Sequence, residues 1–260
     1  MGYDSAAAPA RTAAGTQTRS AMHAVNGHSN GTAAGLTTRE PQYQFELEMA
    51  LRDGLSRFGI MSNQTWRDDP RRLVFLLARY KFVAKMLGGK GRVLEVGCAD
   101  AFGTRLVVQA GCAVTACDFD PVFVDDARAR MASDGWACDA VVHDILSGPV
   151  PPADFDAAYS LDVFEHIVPE QEDAFVGNIA RSLTRSGVAV IGSPSLQSQA
   201  YASPGSKAGH VNCKDGAEYQ RVMLRHFENV FLFSMNDEVV HTGYHPMAHY
   251  LIALCAGRKS

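Results

Sequence analysis

The chain has 260 residues, a net charge of −4 and a pI near 6.1, enough for one domain of ordinary size plus extensions. That balance gives no electrostatic reason to expect nucleic acid, because phosphate recognition needs a basic face. No apolar run reaches the roughly 20 uncharged residues of a membrane span. The six cysteines are scattered and form no C-x-x-C pair. They read as small buried residues of a reducing cytosol, so a cytoplasmic location is expected.

Residues 1–38 are dominated by Ala, Gly, Ser, Thr and Asn. Such a stretch cannot bury enough surface to offset its ordering entropy, and a disordered tail is expected. Residues 39–90 form a helical lead-in or cap. Phe45, Leu47, Ala50, Leu51, Leu55 and Phe58 recur at helical spacing until Gly59. Residues 62–70 read as a polar loop with Pro70 at a helix start. Leu73, Val74, Leu77, Tyr80, Val83, Met86 and Leu87 then make the apolar face of a second helix, closed by Gly88 and Gly89. The arginines and lysines of this region (67, 71, 72, 79, 81 and 85) read as a solvated face.

Residues 92–96 are a short apolar strand carrying Glu95, and they run into a small-residue turn, Gly97 to Gly103. A helix is expected from Phe102 to Ala110. Small residues at a strand-to-helix turn let a ligand approach the backbone. A second strand ends in Asp118, about 20 residues past the turn, where a βαβ unit sets an acid against ribose hydroxyls. A ligand carrying a ribose is therefore expected. The turn lacks the second and third glycines that a dinucleotide pyrophosphate requires. Its carboxylates, Glu95 and Asp100, suit instead a ligand bearing an ammonium and a sulfonium.

Helices and strands alternate from there on. A helix is expected over 121–133, a strand over 139–143 and another over 157–160. A helix built on Phe175, Ile179 and Leu183 leads to strand 188–191, and helix 217–226 leads to strand 230–235. The last strand, 248–255, follows without a crossover helix and must run antiparallel. The fold class is α/β: a Rossmann-like, seven-stranded, mostly parallel sheet with helices on both faces.

Five ordered blocks carry a resemblance to the class I S-adenosylmethionine-dependent methyltransferases, over roughly residues 91–260. Residues 95–103 resemble the first motif, with Ala99 and Ala101 where the family most often has glycine. Asp118-Phe119-Asp120-Pro121 resembles the second and residues 141–145 the third. Residues 155–167, with Glu165-His166-Ile167, and residues 187–194 resemble the fourth and fifth strands. The resemblance implies S-adenosylmethionine as cofactor, touched by Glu95, Gly97, Cys98, Ala99, Asp118, Phe119, Asp144, Ile145 and Leu161. Asp118 would take both ribose hydroxyls and Asp144 the adenine amino group, with Ile145 packed on the ring.

Methyl transfer asks the protein chiefly for proximity, and an alcohol acceptor also asks for a base. His210, in the loop after the fifth strand, is the first candidate and His166 the second. No metal is expected. In relatives that methylate quinone precursors an acid-x-x-Glu-His pattern can hold a divalent cation, and Asp162, Glu165 and His166 match it. Trp66 in the lead-in, and Glu238, His241 and His245 before the last strand, are candidate substrate contacts. The expected partner is a small-molecule acceptor, a hydroxyl on a sugar or other secondary metabolite; a homodimer is left open. A non-catalytic binding module is the alternative reading. An NAD(P)-dependent reductase is opposed by the missing glycines and by the lack of a Tyr-x-x-x-Lys pair.

Overall fold

A computed structural model describes residues 36–136 and 138–260; the tail expected over 1–38 lies outside the described residues as far as residue 35. The chain divides into two compact units after Ser56. In the first, a single turn at Pro41–Tyr43 leads into α1 (Gln44–Asp53). The apolar periodicity runs on to Phe58, but Gly54 at φ +81° stops the helix.

The second unit, Arg57–Ser260, opens with α2 (Ile60–Asp68) and α3 (Arg71–Leu87). Helix α2 occupies the stretch read from sequence as a polar loop. Its first turn is fixed from elsewhere in the fold: the Ile60 amide donates to Asp126 (3.1 Å) and the Ser62 amide to Asp100 (2.7 Å). Tertiary partners have here outweighed weak local propensity.

Then follow β1 (Arg92–Val96), α4 (Thr104–Gln109), β2 (Ala113–Asp118), α5 (Pro121–Ser133), β3 (Asp139–Val142) and β4 (Phe155–Leu161). Helix α5 begins where the sequence places it, with Asp120 accepting from the Val122 amide and Pro121 in the first turn. The remaining elements are α6 (Glu172–Ser182), β5 (Leu183–Pro194), α7 (Pro204–Gly209), α8 (Gly216–Leu224), β6 (Phe227–Asn236), β7 (Val239–His241) and β8 (Tyr250–Arg258).

The strands form one sheet in the order β3-β2-β1-β4-β5-β8-β6-β7. Strands β3, β2, β1, β4 and β5 pair in parallel, and β8 runs antiparallel to both β5 and β6. The sheet has one strand more than expected. The connection from β6 to the last strand folds back as a hairpin and pairs Val239–His241 with Ser234–Asn236.

Both faces of the sheet are covered. Tyr80, Val83 and Leu87 of α3 join Val107, Val124 and Met131 on one face, while Phe175, Ile179, Val222 and Met223 pack on the other. Strand β1 is buried on both sides, which is why it reads as a near-continuous apolar run. Val93 and Leu94 are wholly enclosed, and each such side chain contributes about 1.5–3 kcal/mol. Among the described residues no helix is long and apolar enough to cross a membrane.

Candidate active site

The carboxyl ends of β1, β4 and β5 open onto a cavity of about 390 Å³, roofed by residues of α2 and α3. Its floor is the turn after β1. Gly97 has φ +76°, and a methyl group there would sit 2.3 Å from Val163 Cγ2, so only glycine fits. Ala99 and Ala101, at φ 44° and 52°, share the left-handed backbone of Gly97. The turn therefore keeps a glycine-type conformation at some cost in strain.

Three side chains hold this turn. Asp118, at the end of β2, accepts from the Ala99 amide (2.8 Å) and the Asp120 amide (3.0 Å). Asp100 accepts from the amide and hydroxyl of Ser62 (2.7 and 3.1 Å), latching α2 onto the turn. Arg130 of α5 donates to the Asp100 carbonyl from beneath.

Of the residues expected from sequence, Gly97, Cys98, Ala99, Leu161, His166 and His210 line the cavity. Glu95 does not. Its carboxylate is enclosed beneath the turn and accepts from Tyr80 (2.7 Å), Thr104 (2.6 Å) and Tyr159 (2.8 Å). Burial pushes this carboxyl up, and the three hydroxyls partly oppose the shift. Glu95 thus braces α3, α4 and β4 against β1, and contact with an ammonium would require breaking that network. Ile145 is likewise taken into the core beneath its single helical turn. Phe119 and Asp144 stand exposed at the ends of β2 and β3, with Asp144 capping the Leu146 amide (2.9 Å).

Four expected substrate contacts lie off the wall. Trp66 stacks on Phe58, with ring centroids 5.4 Å apart. Glu238 is exposed at the β6–β7 turn. His241 is held by Asn236 and by the Gly243 amide, and His245 stacks on Tyr244. Ser234, Asn236 and His241 bond within this connection, while His245 Nδ1 is buried without a partner.

Sequence reasoning missed the cationic part of the wall. Arg72 and Arg79 of α3 both line the cavity. Their spacing of seven, two helical turns, puts them on one face, and that was the available signal. Arg79 Nη1 donates to both oxygens of Asp162 (2.6 and 2.7 Å), and its guanidinium lies 3.8 Å from the centre of the Tyr250 ring. With Asp162 so engaged, the acid-x-x-Glu-His set is not assembled. The structure instead gathers Glu165, His166 and His210, each with one donor atom within 4.8 Å of the others. His166 Nδ1 faces the Gly209 carbonyl (2.9 Å) and His210 Nδ1 faces Gln199 Oε1 (2.9 Å). Burial pulls the His210 imidazole below its usual range, and His166 adds to this.

A methyltransferase-domain family profile matches residues 93–187, which run from β1 into β5. A ubiquinone biosynthesis O-methyltransferase from Xanthomonas axonopodis pv. citri is 30% identical over 118 residues, 44% of this chain and 49% of that protein. Residues 93–187 are thus a methyltransferase domain, in line with the resemblance to the class I S-adenosylmethionine-dependent methyltransferases. A tRNA N(3)-cytidine methyltransferase from Gallus gallus shares 28% over 108 residues, 38% of this chain and 29% of its own length. The chain spans half or less of the length of these curated relatives. Its fold is also that of the N-methyltransferase NodS from Bradyrhizobium japonicum, solved with S-adenosyl-L-homocysteine (TM-score 0.54, 19% identity, 75% of this chain and 92% of that one).

The residues present fit the superfamily's cofactor. The turn is open toward the cavity; Asp118 lies behind it, buried and off the cavity wall, and spends on backbone amides two of the about four acceptor positions a carboxylate has. Phe119, 72% exposed, offers an uncovered aromatic face beside it.

Proposed function

We propose that this chain is a methyltransferase acting on a hydroxyl of a small molecule, a sugar or other secondary metabolite, in the cytoplasm. The observation that carries this reading is one cavity walled on one side by the glycine-type turn and on another by the His166–His210 pair. An O-methyltransferase of ubiquinone biosynthesis among the relatives supports it. When bound, S-adenosylmethionine supplies an electrophilic methyl group on a sulfonium. Asp118 takes the ribose hydroxyls, Phe119 and Asp144 serve the adenine, and Arg72 is the cation available to the amino-acid carboxylate. His210 takes the proton of the acceptor hydroxyl through Nε2, the nitrogen left free by its bond to Gln199. The six cysteines, none of them disulfide-bonded, fit a reducing compartment.

A non-catalytic module is disfavoured by the turn itself, in which Gly97, Ala99 and Ala101 all hold left-handed backbone on the floor of the cavity. Isothermal titration with S-adenosylmethionine and S-adenosylhomocysteine tests the reading, and binding of neither overturns it. Transfer of labelled methyl to fractionated metabolite extracts then identifies the acceptor.

A further inference from the structure

The cavity wall gathers three side chains of the kind that bind metals. Glu165, His166 and His210 each bring one ligating atom within 4.8 Å of the other two. Glu165 is 1% exposed, yet its Oε2 has no hydrogen-bond partner. A buried carboxylate oxygen in that state is costly, and native folds rarely keep one without use. The Glu165 carbonyl accepts from the amides of both Val211 (2.8 Å) and Asn212 (3.0 Å). Those bonds hold the turn after β4 against the loop that carries His210, so the three side chains stay together although they come from two segments.

The hydrogen bonds behind the imidazoles decide which nitrogens are available. His166 Nδ1 faces the Gly209 carbonyl (2.9 Å), which can only accept, so that nitrogen carries the proton. Gln199 donates through Nε2 to the Ser195 carbonyl (3.3 Å) and to Ser198 Oγ (3.1 Å), which turns its Oε1 toward His210 Nδ1 (2.9 Å). That nitrogen is a donor too. Both neutral rings therefore present a bare Nε2, and an oxygen acceptor behind the ring is the usual support of a metal-bound histidine.

We propose that Glu165, His166 and His210 form a binding site for a zinc ion, and that zinc seated there switches off proton removal by claiming His210 Nε2. The proposal rests on the methyltransferase reading and adds regulation to its site. Two imidazoles and one carboxylate suit zinc better than magnesium or calcium, which favour oxygen. Zinc bonds of about 2.0–2.2 Å in a tetrahedron set ligand atoms roughly 3.3–3.6 Å apart, so the cluster closes by no more than roughly 1.5 Å to grip the ion. A dication also offsets the cost of enclosing the Glu165 charge. Arg79, the cation that acts on this carboxyl, is already paired with Asp162, which is therefore not a ligand. Coordination and proton transfer use the same lone pair. While Nε2 bonds zinc, His210 cannot take the acceptor's proton, and the bound ion inhibits.

Equilibrium dialysis of the full chain against zinc chloride, read by elemental analysis, counts the ion. Diethylpyrocarbonate labelling mapped by mass spectrometry reports whether the ring nitrogens are covered. One zinc ion per chain is expected, bound about 100-fold or more weakly in Glu165→Gln and His166→Ala, and about 10–100-fold more weakly in Gln199→Ala, which loses only the support behind His210. Zinc should shield His166 and His210 from the reagent and leave the exposed His249 reactive. In methyl-transfer assays zinc should abolish wild-type turnover and have no effect on that of Glu165→Gln. His166→Ala alters an exposed position and decides the matter if Glu165→Gln does not fold. Absent zinc binding, equal binding by the variants, a His210 that stays reactive, or a rise in turnover with zinc each overturns the proposal. S-adenosylhomocysteine titration of the zinc-free wild type separates the two levels, since its binding to a chain that ignores zinc sinks only the zinc site.

Discussion

The amide of Ala99 donates to Asp118 Oδ2 at 2.8 Å, so the acid at the end of β2 clips the very turn it would share with a bound ribose. Asp118→Ala removes both that clip and the hydroxyl acceptors. S-adenosylmethionine affinity should fall by about 2–4 kcal/mol, taking ~1.5–3 for each charge-assisted bond without full additivity. Calorimetric titration measures it, and unchanged affinity would refute the placement of the ribose.

Ala99 and Ala101 invite a paired comparison. A left-handed backbone costs an L-residue about 1–2 kcal/mol, while glycine gives back roughly 0.4–1 through the unfolded chain. Ala99→Gly should therefore stabilise by roughly 0.5–1 kcal/mol. Ala101 is fully buried, and losing its methyl costs ~0.8 kcal/mol, which cancels the relief. Thermal melts should show a rise for the first variant and almost none for the second.

The loop that carries His210 is tied down by Glu172. This carboxylate binds Lys214 (3.1 Å), Arg225 (2.9 Å) and the Asn212 amide group (3.3 Å). Burial pushes Glu172 up, but its bonds to Lys214, Asn212 and Arg225 outweigh that and hold it below the ordinary value. A depressed carboxyl contributes stability above its unfolded value, about 4.3, and loses it as the pH falls through the folded one. Glu172→Gln should lower stability by about 1–3 kcal/mol at pH 7, with the gap closing in acid. Parallel melts from pH 7 down to pH 3 check the sign; a gap that widens in acid contradicts it.

For His210→Ala the expected loss in kcat is ~10²–10⁴, with cofactor affinity unchanged. The deficit should shrink as pH rises and the acceptor ionises unaided. Near-normal turnover would pass the role to His166, its neighbour at 5.2 Å between ring centres. Equal loss at every pH would mean that His210 only positions the acceptor.

Where local chemistry decides structure, the sequence was legible. Helix α5 has its cap, its proline and its apolar face within thirteen residues, Pro121–Ser133. The turn was readable because Gly97, Asp118 and their spacing obey one backbone rule. Helix α2 was not, because Asp126 and Asp100, which hold its first turn, lie 66 and 38 residues away. Glu95 misled for the same reason: Tyr159, one of the hydroxyls that claim it, is 64 residues distant. Arg79 and Glu165 were invisible as wall residues until α3 and the His210 loop were placed in space.

Strand β8 lies between β5 and β6 in the sheet, and it brings Tyr250, whose ring supports Arg79 and whose hydroxyl receives the Asp162 amide at 3.1 Å. A nascent chain emerging N-terminus first holds β5 and β6 before the strand that joins them exists. The turn after β1 can form early on the ribosome, but the wall that holds Arg79 and Asp162 is closed only once β8 has left the exit tunnel. A ribosome stalled before residue 250 would therefore display an unfinished sheet edge, the kind of surface that nascent-chain chaperones cover.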